Sequence, residues 1–131
     1  MSRFRKSERL HGKKCISFLF EKGNVFHTNS LRIIWVNSQS ISEFQARMAV
    51  TVPKKIFNKA VSRNILKRRI REIYRKHKED FFSDLNSANM NIDFIIVYNT
   101  GTILKSSEIE PEIILTLQRL VKESKGKGKK G

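Results

Sequence analysis

Between Arg63 and Lys78, eight of sixteen residues are lysine or arginine and Glu72 is the single acid. Arg63, Lys67, Arg71 and Arg75 recur at every fourth position. On a helix such neighbours repel, at a few tenths of a kcal/mol per pair, whereas an ordinary solvated face mixes its signs. The chemistry that repays this repulsion is the binding of phosphates. Guanidinium groups suit it because their planar fork donates two hydrogen bonds at once. At about 100° per residue, Leu66, Ile70, Ile73 and Tyr74 share one sector, and Arg63, Asn64, Lys67, Arg68, Arg71 and Arg75 fill the next. The apolar sector is expected to grip a sheet and hold the cations out as a rigid ridge.

A second kind of chemistry is open to Phe18, Phe20 and Trp35. Aromatic rings that stay exposed stack on unpaired bases. Ile16, Leu19 and Phe20 share one helical face, and Phe18 falls off it. Phe20 and Trp35 taken singly suit a core better than a binding surface, so Phe18 is the ring most expected in solvent. The other reactive residues form no constellation. His11, His27 and His77 lack metal-ligand spacing, and no thiol or carboxylate pair completes a cage. Asp80 and Asp84 read as surface residues. Cys15, the only cysteine, reads as a small buried apolar residue and rules out an internal disulfide. No glycine-rich phosphate loop joins a strand to a helix. No catalytic side chain and no bound cofactor are expected.

These groups need elements to carry them. Arg3–Lys14 reads as a basic arm leading into a first helix that stops at Gly23. Leu31–Asn37 and Phe44–Val52 read as strands, the second alternating in polarity, with Val25–His27 as a short extra strand. Asn58 is the expected N-cap of a basic helix that runs to about Lys78. Ser83–Asn91 reads as a turn-rich connection, and Ile92–Tyr98 as a further strand. Ser107 and Glu110 resemble a capping box opening a last helix through Ile109, Ile113, Ile114, Leu117, Leu120 and Val121. The order α-β-β-β-α-β-α makes an α+β chain: one α/β sandwich, a sheet with helices packed against it.

With 131 residues the chain suits a single domain with one modest core. We expect that domain over 1–122 and a disordered lysine- and glycine-rich tail over 123–131. The net charge is +15, and removing Lys122–Gly131, with five lysines and one glutamate, leaves +11. Such a field is normally kept for an anionic partner: nucleic acid, a membrane surface or an acidic protein. No apolar run approaches the roughly 20 residues of a membrane span. The first residues lack the apolar core of a secretion signal. A membrane partner is not expected, and a cytoplasmic location is.

The stretch Lys54-Lys55-Ile56-Phe57-Asn58-Lys59-Ala60-Val61-Ser62-Arg63-Asn64-Ile65-Leu66-Lys67-Arg68-Arg69-Ile70-Arg71-Glu72 resembles the Arg-Asn-Arg helix of the bacterial ribonuclease P protein family. Val50-Thr51-Val52 and Asp93–Val97 fall in matching order, and the similarity covers about 3–122. The resemblance implies a left-handed βαβ crossover through the basic helix, as in the second domain of a ribosomal protein of the small subunit. It also implies a function. The chain would be the protein subunit of an endoribonuclease holoenzyme that removes the 5′ leader of precursor tRNA. A catalytic RNA with Mg2+ would perform the hydrolysis, and no obligatory protein partner would be needed. By position, Lys54, Lys55, Arg63, Asn64, Lys67, Arg68 and Arg71 match the ribozyme-binding set. Ile16 and Phe20 match the leader-binding cleft, to which Phe18 and Trp35 are added from their chemistry. The motif's third residue is Ile65 here, with Arg69 one turn on as its expected stand-in. Two rival readings stay open: a structural RNA-binding protein of ribosomal type, and a DNA-binding regulator with the helix in the major groove.

Overall fold

The computed structural model describes residues 13–38 and 46–129, with side chains over 16–38 and 46–125. The basic arm, Cys15, Phe44 and residues 126–131 lie outside those side chains.

The elements are α1 (Lys13–Lys22), β1 (Asn24–His27), β2 (Leu31–Asn37), β3 (Ala46–Thr51), α2 (Ala60–Ser87), β4 (Ile92–Tyr98) and α3 (Ser106–Lys129). The four strands form one mixed sheet in the order β1-β2-β4-β3. β1 and β2 make an antiparallel hairpin, β2 pairs antiparallel with β4, and β3 lies parallel to β4. The link between β3 and β4 is α2, so the basic helix is the crossover of a βαβ unit. All seven residues of β4 are buried, as a strand covered on both faces requires.

Residues paired across strands share a face of the sheet. One face carries Phe26, Ile33, Trp35, Met48, Val50, Phe94 and Ile96. It packs on Leu66, Ile70, Ile73, Tyr74, Phe81 and Leu85 of α2 and on Ile109, Ile113, Leu117 and Leu120 of α3. The other face carries Ile34, Ile95 and Val97, which pack on Leu19 of α1 with Ile16, Val36 and Ala49 at the margin. The fold is therefore three layers: two long helices, the sheet, and the short α1.

Gly23 sets the fit of α1. Its amide closes the helix by donating to the Leu19 carbonyl at 2.8 Å. A Cβ there would stand 2.5 Å from both Ile34 Cγ2 and the Leu19 oxygen. Gly23→Ala should therefore push α1 off the sheet and cost about 1–3 kcal/mol, read from the denaturant midpoint.

Three boundaries differ from the sequence reading. The N-cap of α2 is Lys59, not Asn58, and it makes no side-chain cap bond. Ile56 and Phe57 both donate to the Pro53 carbonyl, and that turn uses up the residues before the helix. At its far end α2 reaches Ser87 instead of Lys78, because Phe81 and Leu85 continue the stripe of Leu66, Ile70 and Ile73 into the core. It stops at Asn89, whose φ of 56° is the left-handed conformation that asparagine tolerates. In α3 the carboxylate that reaches back is Glu108, accepting from the Lys105 amide at 3.0 Å, so the capping contact lies two positions before Ser107 and uses Glu108 in place of Glu110.

The last helix continues to Lys129, through the lysine- and glycine-rich stretch. Ser124 is buried and its hydroxyl donates to the Val121 carbonyl. Packing thus continues past residue 122.

Candidate nucleic-acid interface

The turn before α2 carries Lys54 and Lys55, both exposed. Arg63 is half-buried, and its Nη1 donates to the Phe57 carbonyl at 2.8 Å, tying this turn to the helix. Asn64 and Arg68 are exposed and Lys67 is half-exposed. Arg71 is half-exposed and already engaged with another group of the chain. Opposite them, Leu66, Ile70 and Tyr74 are fully buried. The expected ridge is present: the core side of α2 is fixed in the sandwich, and Asn64, Lys67, Arg68 and Arg71 stand along the flank away from α3.

Arg69 does not stand in for the missing motif arginine. Its Nη1 donates to the Leu104 carbonyl at 2.6 Å, which turns the side chain toward the loop before α3. That loop is held from the sheet as well. The Tyr98 hydroxyl donates to the Thr102 carbonyl and accepts from the Leu104 amide. Burial holds the Tyr98 phenol above its ordinary pKa, against the opposing effect of the Leu104 bond.

Charge along α2 is divided by sign. The first turn holds no acid and the last turn no base. The cations lie between Arg63 and Lys78, and Glu79, Asp80 and Asp84 follow. Asp80 and Asp84 border a groove of about 370 Å3 between α2 and α3, floored by Phe81, Ile114 and Leu117. At one end His77 Nε2 and Glu110 Oε2 lie 2.8 Å apart. The hydrogen bond with His77 lowers the Glu110 pKa from its ordinary value. Among the described residues no three His, Cys, Asp or Glu side chains come together to hold a metal.

The second expected surface lies across the sheet. Phe18 and Phe20 project from α1 with 53% and 45% of their surface exposed, while Ile16 sits half-buried against Leu19. Trp35 is corrected. It is 0% exposed and lies on the α2/α3 face, whereas α1 covers the face of Ile34 and Val36. Neighbours along a strand point to opposite faces, so Trp35 cannot reach a cleft beside α1. On the α1 face Val36 and Ala49 lie partly buried at the margin of the cluster, with Ile16 of α1 beside it and Phe20 exposed.

Arg47 and Asp93, also on that face, were missed from sequence. They pair across β3 and β4 through two hydrogen bonds of 2.9 and 2.7 Å. The alternation of β3 carried the signal. With Ala46, Met48 and Val50 turned inward, Arg47, Ala49 and Thr51 fall on the face beside α1.

The fold and ridge define a small, strongly basic α+β protein, and comparison gives that class a family. The Ribonuclease P family model matches residues 4–121. The ribonuclease P protein component of Petrotoga mobilis is 44% identical over 79 residues, which are 60% of this chain and 63% of that one. The chain thus matches just under two thirds of that relative's length. The component from Citrifermentans bemidjiense is 31% identical over 122 residues, 93% of this chain and 96% of the relative. The Staphylococcus aureus RNase P protein shares the fold with a TM-score of 0.69, at 22% identity, over 88% of this chain and 96% of that one. This chain belongs to the Ribonuclease P family. No helix among the described residues is long and apolar enough to cross a membrane.

Proposed function

We propose that the chain is the protein component of a ribonuclease P holoenzyme in the cytoplasm. It binds the catalytic RNA through Lys54, Lys55, Arg63, Asn64, Lys67, Arg68 and Arg71. The single-stranded 5′ leader of precursor tRNA lies in the cleft of Ile16, Phe20, Val36 and Ala49, with Phe18 at its mouth. The observation that supports this reading best is the pair of surfaces on one rigid sandwich: a cationic flank on α2, and exposed phenylalanines on the helix across the sheet.

In this reading the RNA with its Mg2+ carries out phosphodiester hydrolysis and the protein contributes binding energy. Ridge cations neutralise phosphates and release counterions. Cleft contacts touch a leader that mature tRNA lacks, which favours substrate over product.

The test mixes the protein with a bacterial ribonuclease P RNA at low magnesium and follows leader removal. Stimulation over the RNA alone is expected. RNA binding without stimulation would favour a structural role of ribosomal type. Phe20→Ala should lower precursor affinity about tenfold and leave mature tRNA affinity unchanged. The ring is half exposed, so the melting temperature should hardly move. An unchanged ratio of precursor to product affinity would remove the leader from this cleft.

A further inference from the structure

We infer that Val61 and Ile65 form an apolar window in the cationic ridge that seats an unpaired nucleotide of the ribonuclease P RNA by its base or ribose. This rests on the function proposed above. The two residues lie four apart at the crest of α2, opposite Leu66 and Ile70, and are 70% and 40% exposed. Single exposed apolar residues are ordinary on any protein surface. Here they follow one another along a helical row whose next member, Arg69, is drawn away to the Leu104 carbonyl.

The loop that receives Arg69 carries a further exposed apolar side chain. Ile103 is 47% exposed, between Thr102 and Leu104, both held by the Tyr98 hydroxyl. All three side chains therefore stand on backbone already fixed by helix or by hydrogen bonds, and little ordering remains to be lost on contact. Three residues on from Val61 and Ile65, beside the window, stand Asn64 and Arg68, both exposed, and Lys67 follows on the flank. Cations there select a polyanion, while the crest offers nothing to a phosphate. The part of a polyanion that fits an apolar crest beside a cationic flank is the base or sugar of a nucleotide whose phosphates lie on that flank. A base held in a duplex hides its faces, so the nucleotide is unpaired.

The contact differs from its neighbours in salt dependence. Phosphate contacts weaken as counterions accumulate, and apolar ones do not. The test measures binding to a bacterial ribonuclease P RNA over a salt series for the wild type, for Val61→Ala/Ile65→Ala and for Arg68→Ala. The double variant should bind about tenfold more weakly with an unchanged slope of log K against log salt. Arg68→Ala should lower that slope by about one. Alanine is the better helix former, so the double variant should melt no lower than the wild type, and a purely structural role cannot produce the loss. Wild-type affinity in the double variant would overturn the window alone. A loss accompanied by a flattened slope would overturn it too. A wild-type chain that fails to bind the RNA would overturn both the window and the function on which it rests.

Discussion

Replacing Lys67 and Arg68 together by glutamate is expected to weaken binding to a ribonuclease P RNA about 100-fold at physiological salt, with the melting temperature nearly unchanged. Both residues stand on the flank of α2 and neither bonds internally among the described residues. Each lost charge-assisted bond is worth about 1.5 kcal/mol, and two give roughly that factor. The conservative pair Lys67→Ala/Arg68→Ala should reduce the slope of log K against log salt by about two. The neighbours are not equivalent. Arg63→Ala should weaken binding and also lower the denaturation midpoint, because Arg63 ties the Phe57 turn to the helix. Filter binding and thermal melts on the same preparations separate the two effects. Full affinity in the glutamate pair would remove α2 from the RNA interface.

Trp35→Ala is expected to cost about 3–5 kcal/mol of folding stability, the range for removing a buried aromatic ring. Trp35 is wholly buried beside Met48 and Phe94 in the layer under α2 and α3. A loss of that size is a large part of the 5–15 kcal/mol that a small domain has. Trp35→Phe should cost much less, since a ring still fills most of the space. For the phenylalanine variant that remains folded, the preference for precursor over mature tRNA should match the wild type. A change in that preference at unchanged stability would return Trp35 to the leader site. Urea denaturation of the three proteins gives the first reading, and competition binding the second.

These two outcomes turn on a distinction the sequence carries only in part. Ile33-Ile34-Trp35-Val36 shows no alternation because helices cover both faces of β2, so the run announces a strand but not which residues face α1. β3, at the sheet edge beyond β4, keeps its period of two, and there the inward set of Met48 and Val50 is readable directly. The middle of α2 is legible because one sector is wholly apolar and its neighbour wholly cationic. Its end is not. Phe81 and Leu85 continue the buried stripe through polar neighbours, and composition around Ser83 and Asn86 reads as a turn until the packing of Phe81 against Phe94 is seen. Arg69 shows the same limit at the level of one side chain. Spacing puts it on the helix surface, and only the position of the Leu104 carbonyl shows that it points to α3.

The order of charge along α2 has an electrical consequence. A helix already carries about half a positive charge at its start and half a negative charge at its end. Here the side chains add to that separation: residues 60–73 carry five cations and one acid, and residues 74–87 carry three of each. Helix α2 is thus a strong permanent dipole within a strong net cation. In the field of a long polyanion it experiences a torque before any atom touches, and it arrives with the leading half of α2 turned forward. The pre-alignment speeds productive encounter at low ionic strength and fades as salt shortens the reach of the field.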